Sequence, residues 1–186
     1  MKKILAIAAL VTAFGFQSKA QQNASSSAQQ SVKLDLSNAL EITFVNSGTS
    51  TGNTVIMAFT TPDQFANGVE STEQELKIRS NKSFKVGVKI DYNSFGYSGN
   101  LSSLNYNDIP MYGFGLKVTN NNTGGTIATP FSTGSFTPLV GTDQDVILNG
   151  NNGGDQRFAV KYKATPGFNL PSGTYSFDVI YTATQQ

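Results

Sequence analysis

The sequence of 186 residues contains no cysteine, no histidine and no tryptophan, and only 13% of its residues are charged. Without histidine and cysteine, Ser-His-Asp and Cys-His catalysis are excluded, and so are zinc sites with the usual ligands. No disulfide can stabilise the fold, which must depend on an apolar core and on sheet hydrogen bonds. Phosphate-binding glycine motifs are also absent. We therefore expect a protein that is not an enzyme and that needs no cofactor.

Acidic residues form no recognised site in the sequence. Asp143, Asp145 and Asp155 could offer oxygen ligands to calcium, but their spacing matches neither an EF-hand loop nor a glycine-aspartate repeat. The glutamates of residues 70–75 lie in a polar connector, which is typical of a solvated surface rather than of a catalytic carboxylate pair. We therefore predict neither a metal site nor a glycosidase-like site.

The first twenty residues have the pattern of a secretory signal peptide. Lys2 and Lys3 precede an apolar run over residues 4–16, and small residues end at Ala20, where a signal peptidase would cleave. A transmembrane helix needs about 20 apolar residues, and this run is shorter. We therefore expect an exported protein that resides in the periplasm, at the cell surface or outside the cell.

Removal of residues 1–20 leaves ten basic and twelve acidic side chains, a net charge of −2. Because these charges are few and mixed in sign, they argue against a nucleic-acid partner and against a polybasic membrane-surface protein. Residues 21–31 are small and polar, which is typical of a flexible leader. The remaining residues, 32–186, are enough for a single domain.

The last strand has the clearest pattern in the chain. Over residues 173–184 apolar and polar side chains alternate, with Ile180 as the single exception. A period of two is the signature of a β-strand with one buried and one wet face. The apolar face consists of Tyr175, Phe177, Val179, Tyr181 and Ala183.

Several other stretches predict strands, and together they predict the fold class. The apolar residues of 32–44 share one parity, so this stretch forms either one long strand or two strands around a bend. The further predicted strands are residues 53–61, 76–79, 83–92, 112–119, 145–148 and 156–164. Turn clusters separate them, and residues 62–74 suggest a helical turn. We predict an all-β, antiparallel two-sheet immunoglobulin-like sandwich of about seven to nine strands, with a small closed barrel as the rival.

Residues 94–112 are less regular, and we predict a long loop over one end of the sandwich. Aromatic side chains among small polar residues can form an adaptable binding surface. The candidate ligand-binding residues are Phe95, Tyr97, Tyr106 and Tyr112, and the ligand class would be a glycan or a host or surface protein. The alternative is that these aromatic side chains cover an open end of the core.

The two ends of the chain resemble chaperone-usher pilus subunits. In that family a glycine fourteen residues from the C-terminus precedes alternating apolar residues, and Gly173 holds that position here. Gln185 stands where the family has a penultimate aromatic residue, and the family's usual disulfide is missing. The opening and closing stretches are also similar to small exported β-proteins of Bacteroidetes-type bacteria.

The resemblance implies an assembly in which the N-terminal extension of one subunit completes the sandwich of the next. Its partners would be copies of the same chain and an export chaperone. On this interpretation the stretch Val32–Phe44 is donated, with Val32, Leu34 and Leu36 filling the groove. The acceptor groove is lined by Gly173, Tyr175, Phe177, Val179 and Tyr181. The alternatives are that the first strand pairs within its own chain, that the protein is a carbohydrate- or protein-binding sandwich, or that it is a small outer-membrane β-barrel.

Overall fold

A computed structural model describes residues 26–99 and 113–186. The chain divides into two units, Met1–Asp35 and Leu36–Gln186. The described part of the first unit, residues 26–35, is exposed and has no secondary structure. Within it Lys33 and Asp35 form an ion pair of 3.2 Å. The predicted signal peptide lies outside the described residues.

In its described residues the second unit contains ten strands and one short helix. The elements are β1 Leu40–Phe44, α1 Pro62–Asn67, β2 Val69–Glu70, β3 Gln74–Ser80, β4 Phe84–Gly99, β5 Phe114–Asn122, β6 Thr126–Ile127, β7 Thr137–Pro138, β8 Gln144–Gly150, β9 Gly153–Ala164 and β10 Gly173–Gln185. The described residues contain no helix that is long and apolar enough to cross a membrane.

The strands form two antiparallel sheets, which confirms the predicted fold class. The larger sheet has the order β1-β3-β9-β5-β7, with β2 also paired to β9, and the smaller sheet has the order β10-β4-β8-β6. Each sheet therefore keeps two edges, and the strands do not close into one continuous sheet. The outer strands β1 and β10 lie next to each other at one side of the sandwich.

The core lies between the two sheets and follows from the alternation of the strands. In β3 and β4, inward side chains such as Leu76, Ile78 and Val88 are fully buried, while the charged side chains between them stay at the surface. The alternating pattern of β9 and β5 supplies the facing layer. The largest fully buried side chains are Phe84, Phe158, Leu76, Ile78, Ile90, Leu116, Leu139, Ile147, Val86, Val88, Val118 and Val146.

The helical turn predicted over residues 62–74 is present as α1. Thr61 caps it in a capping box with Gln64, and Pro62 occupies the first turn. This arrangement satisfies the first backbone N–H groups of the helix and fixes its start. The helix ends at Asn67, before Gly68, whose φ of 83° is the left-handed conformation that glycine adopts readily.

The strand predicted over residues 53–61 is wrong. Residues 53–61 form no strand, although their side chains alternate between exposed and half-buried and Val55 and Met57 pack against the core. Among the described residues, residues 53–59 make no backbone hydrogen bond. Alternation reports which side chains face the core, and it does not report whether a neighbouring strand is available for pairing.

The predicted loop over residues 94–112 is also partly wrong. Residues 94–99 continue β4 and pair with the beginning of β10 across an irregularity between Ser176 and Asp178. The hydroxyl of Ser94 bridges this irregularity, because it accepts from the backbone N–H of Asp178 at 2.7 Å and donates to the carbonyl of Asp91 at 2.7 Å. The small polar residues of this stretch therefore belong to a bulged strand and not to a loop.

Candidate functional site

The C-terminal strand β10 presents the longest free edge in the described part of the sandwich. It has 13 residues and pairs on one side with β4, while no described strand pairs with its other side. The other edge strands are much shorter, with five residues in β1 and two each in β6 and β7. A long unpaired edge exposes a row of backbone N–H and C=O groups that can pair with another chain.

The predicted alternation of β10 is confirmed. Its inward side chains Phe177, Val179, Tyr181 and Ala183 pack against the core, and Ile180 is exposed as the sequence suggests. Each inward side chain is only half-buried, whereas the equivalent side chains of β3 and β4 are fully buried. The difference arises because no described strand pairs with the outer side of β10.

An apolar cleft separates β10 from β1 at this side of the sandwich. Its volume is about 150 Å³. At its base the rings of Phe44 and Tyr181 meet edge to face, with 6.0 Å between ring centroids. The lining residues are Ile42, Thr43, Phe44, Ser50, Leu76, Val179, Ile180 and Tyr181.

Two tyrosine hydroxyls form a hydrogen bond beneath the cleft. The hydroxyl oxygens of Tyr162 and Tyr181 are 2.8 Å apart. Burial raises the pKa of Tyr162 to about 12. Burial and the neighbouring Tyr162 also raise the pKa of Tyr181 well above its usual range. Both hydroxyls are therefore neutral at physiological pH, and they join the two sheets by a polar contact inside an apolar layer.

The segment predicted to be donated divides into two parts. Leu40–Phe44 pairs with β3 of its own chain, so the donor interpretation is wrong for this part. Residues 26–39 form no strand. Val32, Leu34 and Leu36 are exposed by 75%, 78% and 88% of their surface. Three apolar side chains at period two are thus left without burial in the described structure.

Sequence reasoning missed the contribution of β1 to the cleft. Ile42 and Phe44 share the parity of Val32 and Leu34, so the pattern groups them with the donated residues. The structure places them across the cleft from Val179 and Tyr181. The polar pair Ser37-Asn38 separates the two groups in the sequence and is the signal that could have divided them.

Gly173 lies at the beginning of β10 under the ring of Tyr97. A Cβ atom at this position would lie 2.5 Å from the ring of Tyr97 and 2.9 Å from the backbone oxygen of Ser98. The Tyr97 ring also contacts Tyr175, with 5.0 Å between centroids, and its hydroxyl donates to the carbonyl of Ser172 at 2.9 Å. A glycine is therefore required here by close approach.

The predicted ligand-binding residues are not all described. Phe95 and Tyr97 lie in β4 and are half-buried, and Tyr97 takes part in the packing against Gly173 and Tyr175. Burial and the neighbouring Tyr97 raise the pKa of Tyr175, and its hydroxyl donates to the carbonyl of Pro171 at 2.6 Å. Tyr106 and Tyr112 lie outside the described residues.

Gln185 takes the place of the aromatic residue expected from the family pattern, and it has a specific set of contacts. Its side-chain N–H group lies 2.8 Å from the carbonyl of Ala39, 3.1 Å from the hydroxyl of Ser80 and 3.0 Å from the side-chain oxygen of Asn81. Asn81 in turn donates to the carbonyl of Ser37 at 2.8 Å. These bonds connect the end of β10 to the chain that leads into β1.

The aspartates considered as calcium ligands are engaged in ion pairs. Asp145 lies 3.1 Å from the ammonium of Lys85, and Asp155 lies 2.8 Å from the guanidinium of Arg157. The hydrogen bond from Arg157, together with its charge, lowers the pKa of Asp155. In residues 26–99 and 113–186, no three acidic side chains come together as a metal site.

No protein-family model and no curated protein matches this chain.

Proposed function

We propose that the protein is an exported, non-enzymatic structural or adhesive subunit that assembles by β-strand donation. The single observation that carries the proposal is the 13-residue edge of β10, which has no described partner strand. Natural sheets protect such edges with charged side chains, prolines or short strands. The edge of β10 has one charged side chain, Asp178, and no proline.

The inward face of β10 provides the side-chain part of an acceptor site. An added strand uses backbone hydrogen bonds for affinity and pockets between alternate side chains for specificity. The cleft offers such a pocket between Phe44 and Val179. Its apolar lining suits an aliphatic side chain of the size of valine or leucine.

The donor is the segment around Val32, Leu34 and Leu36 of another copy of the chain. A strand extends by about 3.3 Å per residue, with alternate side chains on one face. Residues 32–36 therefore present three apolar side chains to a groove, while Lys33 and Asp35 face away from it. Lys33 and Asp35 already pair with each other at 3.2 Å, which suits an exposed outer face.

Donation buries apolar side chains and adds ladder hydrogen bonds. Full burial of a valine or leucine side chain stabilises a complex by about 1.5–3 kcal/mol, and a backbone hydrogen bond adds about 0.5–1.5 kcal/mol net. Ordering a five-residue segment costs about 1–2 kcal/mol per residue, which is similar in size to these gains. Each of the three side chains therefore matters.

The experiment compares the size of the purified chain, residues 21–186, with that of two variants. In the first, Val32→Asp, Leu34→Asp and Leu36→Asp change the proposed inner face of the donor. In the second, Lys33→Ser and Asp35→Ser change its outer face and serve as the matched control. Light scattering after gel filtration and a ladder on SDS gels report assembly.

We expect multimers for the unmodified chain and for the outer-face control, and a monomer for the inner-face variant. Thermal melting checks that the sandwich of the inner-face variant is intact. We expect it to be intact, since the three substituted side chains are exposed in the described structure. Monomers of the unmodified chain at all concentrations would contradict the proposal, as would multimers of the inner-face variant.

A further inference from the structure

Three lysines lie together on the outer face of the larger sheet, far in sequence from the donor segment. Lys117 in β5 is directly opposite Lys161 in β9, and Lys163 is on the same face two residues further along β9. Opposed residues in an antiparallel pair have Cβ atoms about 4.5–5.5 Å apart. We call Lys117, Lys161 and Lys163 the lysine patch, and we propose that it binds an acidic polysaccharide.

An aromatic ring holds two of these ammonium groups in place. The ammonium of Lys117 lies 4.5 Å from the ring centroid of Phe136, and that of Lys163 lies 6.0 Å from it. Gly115 is opposite Lys163, and a Cβ atom at Gly115 would lie 2.9 Å from the backbone oxygen of Thr137, the residue after Phe136. Cation–π attraction orders both lysine side chains and lowers the entropy cost of binding an anion.

The three patch lysines form no ion pair with a described carboxylate, whereas Arg79, Lys85, Lys89 and Arg157 do. The ion pairs elsewhere in the sandwich are Arg79–Glu41 at 3.5 Å, Arg157–Glu75 at 3.3 Å, Arg157–Asp155 at 2.8 Å, Lys85–Asp145 at 3.1 Å and Lys89–Asp143 at 3.6 Å. In residues 26–99 and 113–186, no carboxylate lies within 4.0 Å of a patch ammonium. Glu70 of β2 is opposite Lys163 but forms no ion pair with it.

Like charges directly opposite each other on a sheet are destabilising. The arrangement of Lys117 against Lys161 therefore has an energetic cost that no described carboxylate offsets. A bound anion would remove this repulsion. Because the mature chain has a net charge of −2, the positive patch is a local feature and does not reflect a basic protein.

A polymer with repeated carboxylate or sulfate groups fits this surface best. Each lysine offers one hydrated point charge, so a single contact is weak, and several contacts to one chain add through multivalency. The patch is on the central strands of a rigid sheet, where its spacing is fixed. A membrane is a poorer fit, because Phe136 lies against the sheet and does not project as the apolar anchor that an interfacial protein inserts.

The experiment measures binding of the purified chain, residues 21–186, to immobilised dextran sulfate and to polygalacturonate. The test variant carries Lys117→Gln, Lys161→Gln and Lys163→Gln. The matched control carries Lys82→Gln, Lys85→Gln and Lys89→Gln, which removes the same number of charges from other parts of the sandwich. Neutral dextran and vesicles containing an anionic phospholipid complete the set of ligands.

We expect the unmodified chain to bind the acidic polymers, with a Kd raised at least tenfold in the test variant and within twofold in the control. Binding should weaken with salt, and neutral dextran should not be bound. If the test variant and the control lost affinity equally, binding would depend on net charge alone, and this result would overturn the proposal. Binding to the vesicles without binding to the polymers would overturn it as well. At equal subunit concentration and a low density of immobilised polymer, the inner-face donor variant should bind the polymers as tightly as the unmodified chain. Polymer binding can therefore be tested independently of assembly.

Discussion

The two sides of the sandwich differ in whether their sheet edges are covered by the described chain. At the β6–β7 side, the chain from Ala128 to Val140 is hydrogen-bonded to both sheets, through Ala128 to β8, Ser132 to β5 and Val140 to β4. Phe131 and Leu139 from this connection are buried at 4% and 1% exposure. At the β1–β10 side, the inward side chains are half-buried and a 13-residue edge has no described partner.

The comparison shows that this chain can close a sandwich edge and that, within residues 26–99 and 113–186, it does so at one side. The closed side uses two-residue edge strands and a buried connection. The extended residues 53–59 provide no equivalent at the open side. They begin at the cleft, where Ser50 contributes to the lining and a Cβ at Gly52 would lie 3.1 Å from the ring of Phe44. Their backbone adds no ladder bond among the described residues.

The largest expected difference between the two sides is in the effect of deleting a phenylalanine ring. Phe131→Ala at the closed side should lower the free energy of unfolding by about 3–5 kcal/mol, because the ring is fully enclosed. Phe177→Ala at the open side should cost about 1–2 kcal/mol, because the ring is half-buried. Urea unfolding in the monomeric inner-face donor variant measures both values. A larger cost for Phe177→Ala would contradict the assignment of the open side.

Alkaline pH tests the tyrosine pair beneath the cleft. The pKa of Tyr162 is about 12 in the folded chain, and it is about 10 in an unfolded chain. The unfolded state therefore loses its proton first, so the stabilisation is complete below about pH 10 and is lost as the pH rises to about 12. At about 1.4 kcal/mol per pKa unit, the loss is about 3 kcal/mol.

The matched control for this prediction is the variant Tyr162→Phe with Tyr181→Phe. Its stability should fall less steeply than that of the unmodified chain between about pH 10 and about pH 12, since the paired hydroxyls are gone. Chemical unfolding at several pH values reports the difference. Parallel pH profiles of the two proteins would show that these hydroxyls are not desolvated in the folded state.

A substitution at Gly173 tests the packing at the beginning of the open edge. Gly173→Ala should cost about 1–3 kcal/mol, because its Cβ would meet the ring of Tyr97. Gly134→Ala on the closed side is the control, since nothing lies within 4 Å of a Cβ there, and its effect should stay within about 0.5 kcal/mol. Equal stabilities of the two variants in thermal unfolding would refute the close approach of Tyr97.

The smallest expected effect comes from a charge placed on each side. Ile180→Lys adds an edge lysine at the open side, and Val140→Lys adds one at the closed side, where the side chains are 37% and 40% exposed. Edge lysines oppose strand addition. Assembly of the Ile180→Lys variant should weaken about tenfold, equal to about 1.4 kcal/mol, while Val140→Lys should assemble normally. Sedimentation of the two variants at matched concentration distinguishes these outcomes.

The sequence pattern was sufficient for most of the strands, but not for residues 53–61 and 94–99 or for the sheet edges. The final strand could be predicted because its side chains alternate without interruption except at Ile180. The unpaired edge of β10 at the open side could not be predicted, because alternation in residues 53–61 looks the same with or without a pairing partner. Parity alone likewise does not show that the chain divides at Ser37-Asn38 into the exposed segment and β1.

The lysine patch illustrates a second limit of sequence reasoning. Lys117 and Lys161 are separated by 44 positions in the sequence, and only the register between β5 and β9 brings them opposite each other. Their apposition depends on strand order, which periodicity does not specify. The position of Phe136 beside Lys117 and Lys163 likewise depends on the fold and is not shown by the sequence.

A disulfide trap tests the central claim most directly, because the chain contains no native cysteine. A Leu34→Cys chain is mixed with chains carrying Phe177→Cys, Val179→Cys or Tyr181→Cys, and after oxidation mass spectrometry identifies the linked peptides. Strand donation predicts intermolecular links between position 34 and at least one of these β10 positions, and none to a Val140→Cys control on the closed side. Absence of links to β10, or equal linking to position 140, would contradict strand donation at the open edge.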